Sequence, residues 1–235
     1  MREYLIRRSQ KRSICKRGDV LFVGWQKVLT TNDALFIICL SFNKRVTNKM
    51  EVPMKDTGVV CGRFQIFHNE HLQYVMAAKD KCEHLIVGIT SPDPSVSPVE
   101  KEDANRSSEV ANPCTYYERM KMIEAALMEQ GLRRDEFDLV PYPIGCPELV
   151  KYYIPNETCH FITILDEWGN CKKERIEKWG YPVHVLWKKT EKGISSTMIR
   201  QCMVEGKSWK QYVPNATYEY IVANGIDKRI VKLME

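Results

Sequence analysis

The stretch GVVCGRFQIFHNEH, residues 58–71, passes from a short apolar run into a loop that carries an arginine and two histidines. A helical pattern follows it directly. In an open α/β sheet, ligands bind beyond the carboxyl ends of the strands, where a strand-to-helix turn offers unpaired N–H groups and the positive end of a helix dipole. Arg63, His68 and His71 at such a turn, with Gly62 allowing close backbone approach, predict a site for phosphate groups.

The surrounding sequence predicts an α/β domain with a mostly parallel sheet, because strand-like and helix-like segments alternate from Thr57 onward. The predicted strands are residues 57–61, 84–90, 137–141, 159–165 and 183–187. Their apolar residues on both faces suit strands covered by helices. The second helix opens with a Thr115/Glu118 capping box and closes on Gly131, and a helical cap is expected after the last strand. Residues 91–113 are predicted to be a long surface loop, of the kind that often forms a lid or a binding loop.

Charge separates a leader from this domain. Residues 1–50 hold 11 Lys and Arg against 3 Asp and Glu, which gives this segment a net charge of +8. The rest of the chain has a net charge of −3, so the whole chain has +5. We therefore expect a basic leader over residues 1–54, disordered or outside the domain, and a domain over residues 55–235. A start at Met50 or Met54 and an organelle transit peptide are the two interpretations of the leader. The slightly acidic domain argues against a general nucleic-acid-binding role.

The remaining composition indicates a cytoplasmic protein. No apolar stretch approaches the roughly 20 residues that a membrane helix needs. The nine cysteines include no C-x-x-C pair and no cluster at zinc-ligand spacing, which predicts reduced thiols and no protein metal site. Cys61 and Cys159 lie in apolar runs and are expected to be buried. A homo-oligomer is left open.

Two motifs resemble one superfamily. GRFQIFHNEHL resembles the G-R-F-Q-P-F-H-x-G-H signature of the nucleotidyltransferases, in particular the archaeal-type nicotinamide-nucleotide adenylyltransferases, and GISSTMIR at 193–200 resembles their I-S-G-T-x-I-R. NPCTYYERMKMI at 112–123 is similar to a further segment of that family. The resemblance spans about residues 57–230 and implies a Rossmann-like nucleotidyltransferase fold.

The resemblance also implies roles for individual residues. His68 and His71 would contact the triphosphate and stabilise the transition state, while Arg63 would bind a phosphate. The residues implied at the nucleotide site are Gly62, Arg63, Phe64, His68, His71, Ile194, Ser195, Ser196, Thr197 and Arg200, the last holding the β or γ phosphate. The candidates for the acceptor site are Arg106, Arg119, Tyr152 and Trp168. Mg²⁺ would arrive with the triphosphate.

The sequence departs from the family motifs at the start of the first helix and at positions expected to contact the acceptor substrate. Glu70 replaces the second Gly of the histidine signature and is expected to point to solvent, where it would satisfy the helix dipole. Ile66 replaces the Pro. Val150 falls where the family has an aromatic that stacks on nicotinamide, and DEWGN follows the fourth strand.

Structural alternatives accompany several of these residues. Trp168 could pack instead of stacking on a base, and Arg119 could pair with a carboxylate of its own helix. EWGNCKKERIEKWG, residues 167–180, is interpreted as a charged helix face, and His84, His160 and His184 as structural.

The resemblance implies transfer of a nucleotidyl group from ATP to a phosphorylated acceptor, with nicotinamide mononucleotide as the implied acceptor and NAD and pyrophosphate as products. No general base is needed, because a phosphate nucleophile is already ionised at neutral pH. The alternatives are a cytidylyltransferase, since KTEKGISST at 189–197 also resembles R-T-x-G-I-S-T-T, and a non-catalytic nucleotide sensor. An RNA-binding protein that uses the basic leader is a further alternative.

Overall fold

A parallel sheet of five strands organises the part of the chain that the computed structural model describes, residues 55–91, 108–165, 167–188 and 193–235. The predicted leader, most of the predicted loop at 91–113, and Arg106 lie outside these residues. The strands are β1 Lys55–Gly62, β2 Cys82–Thr90, β3 Phe137–Tyr142, β4 Cys159–Ile164 and β5 Val183–Lys188. All five predicted strands are therefore confirmed, with ends that shift by up to two residues.

The order of the strands shows where the sheet is expected to bind a ligand. The order is β3-β2-β1-β4-β5, and every neighbouring pair is parallel. The chain thus builds outward from β1 to β3, then crosses back to place β4 on the other side of β1. The direction of winding reverses between β1 and β4, and ligands of doubly wound sheets bind at the carboxyl side of this switch point.

Seven α-helices flank the sheet in the described residues: α1 Asn69–Lys79, α2 Tyr116–Glu129, α3 Pro147–Val150, α4 Glu167–Lys178, α5 Ser196–Val204, α6 Asn215–Ala223 and α7 Ile226–Met234. Two short 3₁₀ helices, Arg134–Glu136 and Lys210–Tyr212, complete them. The predicted capping box at Thr115 is present, since its side chain accepts from the backbone of Glu118 and the Glu118 carboxylate accepts from the backbone of Thr115. The helical C-terminal cap is confirmed as α5 to α7.

Core packing covers both faces of the sheet. Along β1, Val60 belongs to the larger apolar cluster, which includes residues of α1, α2 and α5 to α7, whereas Val59 and Cys61 belong to a second cluster with residues of α3 and α4. This alternation follows the two-residue period of a strand. Cys61 and Cys159 are buried as predicted, and the seven cysteines of the described residues are free thiols. No helix among the described residues has both the length and the apolar character needed to cross a membrane.

Candidate functional site

A cavity of about 380 Å³ opens at the carboxyl ends of the central strands, at the switch point of the sheet. All of the residues that the two motifs predict at the nucleotide site line it. The lining residues are Cys61, Gly62, Arg63, Phe64, Gln65, His68, Glu70, His71, Tyr74, Thr163, Leu165, Trp168, Gly169, Lys172, Trp187, Gly193, Ile194, Ser195, Ser196, Thr197 and Arg200. This volume lies within the usual range for a small-molecule site.

The two histidines cap α1 reciprocally. Nδ1 of His68 accepts a hydrogen bond from the backbone N–H of His71, and Nδ1 of His71 accepts one from the backbone N–H of His68, each at 3.4 Å. The rings stack with centroids 3.6 Å apart. Because each Nδ1 is an acceptor, the proton of each neutral ring lies on Nε2. Helix capping thus sets both tautomers and leaves the two Nε2–H groups as the hydrogen-bond donors.

Both histidines are uncharged at neutral pH. Burial lowers the pKa of His68 to about 4. Burial, followed by the charges of His68 and Arg63, holds the pKa of His71 well below its usual range, although a hydrogen bond with the Ile66 backbone acts in the opposite direction. A neutral ring can donate its Nε2–H to a developing charge without carrying a fixed positive charge, and His71 would give up its hydrogen bond with the Ile66 backbone for such a contact.

Buried neutral histidines make stability depend on pH. Burial also lowers the pKa of His160 to about 4, and its ring hydrogen-bonds Tyr142 Oη at 3.1 Å. Between pH 6.5 and pH 4 the unfolded chain protonates this ring while the folded protein does not, so stability present above pH 6.5 is lost as the pH falls. Between pH 7 and pH 4 the free energy of unfolding of the wild type should therefore fall by about 3 kcal/mol more than that of His160→Gln, as measured by denaturant titrations at both pH values. A difference in the free energy of unfolding between the two proteins that does not change with pH would contradict the lowered pKa of His160.

Phe64, which also lines the cavity, packs against one of the two histidines. Its backbone has φ of +52°, in the left-handed region, and its ring is buried. The ring packs edge-on against His71 with centroids 5.0 Å apart. A Cβ on Gly62 would lie 2.8 Å from the Phe64 ring, so this position requires glycine for close packing. The Phe64 ring therefore packs against both Gly62 at the end of β1 and His71 in the first turn of α1.

The two sequence motifs meet at the cavity through direct hydrogen bonds. Arg200 Nη1 donates to the carbonyl of Gln65 at 2.7 Å, and its Nη2 donates to Thr197 Oγ1 at 3.3 Å. Ser196 Oγ donates to the carbonyl of Ile66 at 3.1 Å. Ser195 caps α5 by accepting from the backbone N–H of Met198. Segments 130 residues apart in sequence therefore form one wall, as the resemblance implies.

Glu70 lies against the second motif, and the expectation that it points to solvent is wrong. Its Oε1 accepts a hydrogen bond from the backbone N–H of Ile194 at 3.2 Å. The carboxylate rests so close to Gly193 that a Cβ built there would lie 1.9 Å from Oε1. Glu70 thus joins the start of α1 to the loop before α5, which explains how the domain accommodates a carboxylate at this position.

A double-mutant cycle should reveal this contact. Gly193→Ala should displace the Glu70 carboxylate and weaken nucleoside triphosphate binding roughly 10-fold, because the loop before α5 loses its anchor. In a Glu70→Ala background the same change should have little effect, giving a coupling energy of about 1 kcal/mol in binding titrations. Additive effects of the two substitutions would contradict the contact.

Arg119 and Tyr152 are not brought to the cavity. Arg119 is buried, and its guanidinium donates to the backbone carbonyls of Arg63, Thr90 and Ser91 at 2.8, 2.7 and 2.7 Å. It therefore holds the loops that follow β1 and β2, and the alternative of a carboxylate partner on its own helix is replaced by these carbonyls. Tyr152 is 72% exposed and does not line the cavity.

Other predicted residues are placed as follows. Trp168 lines the cavity, so the structure brings it to the predicted nucleotide residues. Val150 is fully buried in the core and offers no ring to a ligand. The other three histidines do not line the cavity, and each contacts protein groups: His84 binds Asp138 at 2.9 Å, His160 binds Tyr142, and His184 packs against Phe161.

Lys172 is a cavity residue that the sequence interpretation missed. Residues 167–180 were interpreted as a charged helix face, but Lys172 is only 9% exposed and donates to the carbonyl of Cys61 at 2.8 Å. Trp168, Gly169 and Lys172 lie on one face of α4 because residues three and four apart share a face of a helix. That spacing was the available signal. Trp187, at the end of β5, also lines the cavity without having been predicted.

The described cavity lining offers few protein ligands for a metal ion. Among the described residues there is no group of three His, Cys, Asp or Glu side chains that could hold a metal ion. Glu70 is the carboxylate in the described cavity lining, and Ile194 already donates to it. A Mg²⁺ ion coordinated by triphosphate oxygens and water would need no more from the protein.

Comparisons with known proteins match the same region. The sequence model of the cytidylyltransferase-like family matches residues 59–202. The phosphonoformate cytidylyltransferase of Streptomyces viridochromogenes is 40% identical over 174 residues, which cover 74% of this chain and 95% of that protein. The nicotinamide-nucleotide adenylyltransferase of Thermococcus sibiricus is 31% identical over 166 residues, covering 70% and 82% of the two chains.

Solved structures show the same fold. A bifunctional NMN adenylyltransferase/ADP ribose pyrophosphatase from Francisella tularensis superposes with a TM-score of 0.54 at 20% identity, covering 76% of this chain. The match spans 53% of that longer protein. The five-stranded parallel sheet with its flanking helices is thus the Rossmann-like arrangement that the resemblance implies.

Proposed function

Because the chain belongs to the cytidylyltransferase-like family and is a nucleotidyltransferase, we propose that it transfers a cytidylyl group from CTP to a small anionic acceptor that bears a phosphonate or phosphate. The observation that carries the choice of CTP is the 40% identity to a phosphonoformate cytidylyltransferase over 95% of that protein. The acceptor class follows from the same relative. Its name describes a phosphonate that also carries a carboxylate, a compact dianion or trianion.

The cavity supports such a reaction through positioning and charge. An oxygen of the acceptor attacks the α-phosphorus of CTP in line, the bond to the bridging oxygen of the β-phosphate breaks, and pyrophosphate leaves with that electron pair. The acceptor oxygen is already ionised, so the protein need not remove a proton. The Nε2–H groups of His68 and His71 would donate to the phosphates as charge moves toward the leaving group.

Arginines would balance the remaining charge. Arg63 lies in the loop after β1, and Arg200 lies on the wall that joins the two motifs. The N-terminus of α5, which begins at Ser196, adds the positive end of a helix dipole on the same side of the cavity. Mg²⁺, carried by the triphosphate, would supply further neutralisation of the phosphate oxygens.

Formation of NAD from ATP and nicotinamide mononucleotide is the second candidate. Identities of 27 to 31% to archaeal nicotinamide-nucleotide adenylyltransferases favour it. Glu70 argues for the pyrimidine nucleotide instead, because its side chain takes up room in the cavity that the glycine of the adenylyltransferase signature would leave open.

A substrate matrix tests the proposal. The full chain is incubated with Mg²⁺, one of CTP, ATP, UTP or GTP, and either phosphonoformate, nicotinamide mononucleotide or no acceptor, and pyrophosphate release and ³¹P NMR spectra are recorded. We expect a new phosphonate–phosphate anhydride only with CTP and phosphonoformate. NAD from ATP and nicotinamide mononucleotide would overturn the proposal in favour of the second candidate. Nucleotide binding without turnover by any pair would favour the sensor alternative.

A further inference from the structure

The ammonium group of Lys172 lies at the cavity but takes no part in the reaction steps proposed above. It lines the cavity at the carboxyl end of β1, where Nζ donates to the carbonyl of Cys61 at 2.8 Å. Nζ also lies 5.8 Å from the ring centroid of Trp168. The residue is 9% exposed. Cys61 directly precedes the Gly62–Arg63 loop, so this charge lies beside the residues expected to bind phosphate.

The polar surroundings of Lys172 are incomplete without a ligand. An ammonium group has three N–H donors, and the described residues satisfy one of them, at a neutral carbonyl. No carboxylate of the described residues forms a salt bridge with it. A buried cation with one neutral partner is unfavourable, because the lost hydration is returned only by ionic or multiple hydrogen-bonding partners. An anionic oxygen in the cavity would supply them.

Besides Lys172, the cationic residues of the described cavity lining are Arg63 and Arg200, which the proposed reaction already assigns to phosphates. Low pKa values keep His68 and His71 uncharged. Arg119 is turned to backbone carbonyls, and Arg200 donates to Gln65 and Thr197. A triphosphate together with an anionic acceptor carries more negative charge than Arg63 and Arg200 can neutralise, so a further cation at the cavity is favourable. Lys172 supplies a fixed charge on the α4 side of the cavity.

We propose that Lys172 binds an anionic oxygen at the reacting centre, contributed by a phosphate of the nucleoside triphosphate or by the acceptor. This inference rests on the proposed function and adds a substrate-binding residue on α4. In the bound state the ammonium keeps its hydrogen bond to Cys61 and points its remaining N–H groups at the anion. The contact neutralises charge as the acceptor oxygen approaches the α-phosphorus.

Neutral and charged replacements separate this role from packing. Lys172→Gln keeps a donor for the Cys61 carbonyl and removes the charge, while Lys172→Arg keeps the charge. Lys173→Met is the matched control, because Lys173 is the adjacent residue of α4 and pairs with Glu177 at 2.7 Å. We expect Lys172→Gln to lower kcat/KM about 10- to 100-fold, Lys172→Arg to recover part of the loss, and Lys173→Met to match the wild type.

Binding titrations identify the anion and keep the test independent of turnover. CTP, pyrophosphate and phosphonoformate are each titrated into wild type and Lys172→Gln in the presence of Mg²⁺, after melting curves show that both are folded. Weaker CTP and pyrophosphate binding would assign the contact to the triphosphate, and weaker phosphonoformate binding would assign it to the acceptor. Unchanged affinity for all three ligands, with unchanged kcat and KM for any pair that turns over, would overturn the proposal. Wild-type binding without turnover would count against the proposed function alone.

Discussion

Replacing His68 with Asn should lower kcat about 10²- to 10³-fold while leaving the free energy of unfolding within about 1 kcal/mol of the wild type. Asparagine is a good N-cap residue, so its side-chain oxygen can accept the backbone N–H of His71 that His68 Nδ1 accepts now. The Nε2–H donor is lost. A donor aimed at charge that develops in the transition state is typically worth this much in rate.

The comparison with alanine separates catalysis from capping. His68→Ala removes both the cap and the donor, so it should show the same loss of kcat with an additional destabilisation of about 1 kcal/mol. Single-turnover rates and denaturant titrations of both variants provide the two measurements. Wild-type kcat in His68→Asn would remove His68 from the proposed mechanism. Equal stability of the two variants would contradict its role as the cap of α1.

Replacing Arg119 with Met should destabilise the domain by about 3–5 kcal/mol, lowering its melting temperature by about 10 °C. The guanidinium donates to four backbone carbonyls, including that of Thr115, and all of these bonds are lost. The buried carbonyl of Thr90 and the partly buried carbonyls of Arg63 and Ser91 lose this donor at a cost in desolvation, whereas the Thr115 carbonyl keeps the backbone N–H of residue 119. Because the carbonyls of Arg63, Thr90 and Ser91 lie at the carboxyl ends of β1 and β2, the variant should also bind nucleoside triphosphate more weakly.

An exposed arginine provides the control for this prediction. Arg133, whose side chain is 72% exposed and pairs with Asp135, should tolerate the same change to Met within about 0.5 kcal/mol. Arg119→Lys should have a melting temperature between those of the wild type and Arg119→Met, since one ammonium group cannot reproduce the planar set of donors of a guanidinium. Thermal melts of the three variants measure these differences. An Arg119→Met variant that melts with the wild type would show that water or neighbouring groups replace the guanidinium.

Local features of the fold were readable from the sequence because their causes lie within a few residues. The capping box of Thr115 and Glu118 and the glycine that ends α2 involve atoms at most four residues apart. Strand positions followed from short apolar runs, since a strand covered on both faces needs apolar residues throughout. The histidine motif was recognised for the same reason, as it lies in one continuous loop and helix start.

Tertiary structure alone decided the partners of the polar side chains in and around the cavity. Glu70 was expected in solvent but accepts from Ile194, 124 residues away, and Lys172 was expected on a charged surface but donates to Cys61, 111 residues away. Arg119 was considered for the acceptor and instead holds the ends of two strands. Long polar side chains reach several partners from one position, and the sequence carries no signal that selects among them.

The sequence by itself therefore determined the five strands and the helix caps, because backbone hydrogen bonds and side-chain periodicity act locally, and it predicts phosphate binding at the loop after β1. The folded chain decided the strand order, the meeting of the two motifs, and the identity of the cations that face the cavity. These depend on which distant segments the sheet brings together, and burial then fixes the charge of each group. His68 illustrates both: its position follows from helix capping, and its neutral state follows from the protein packed around it.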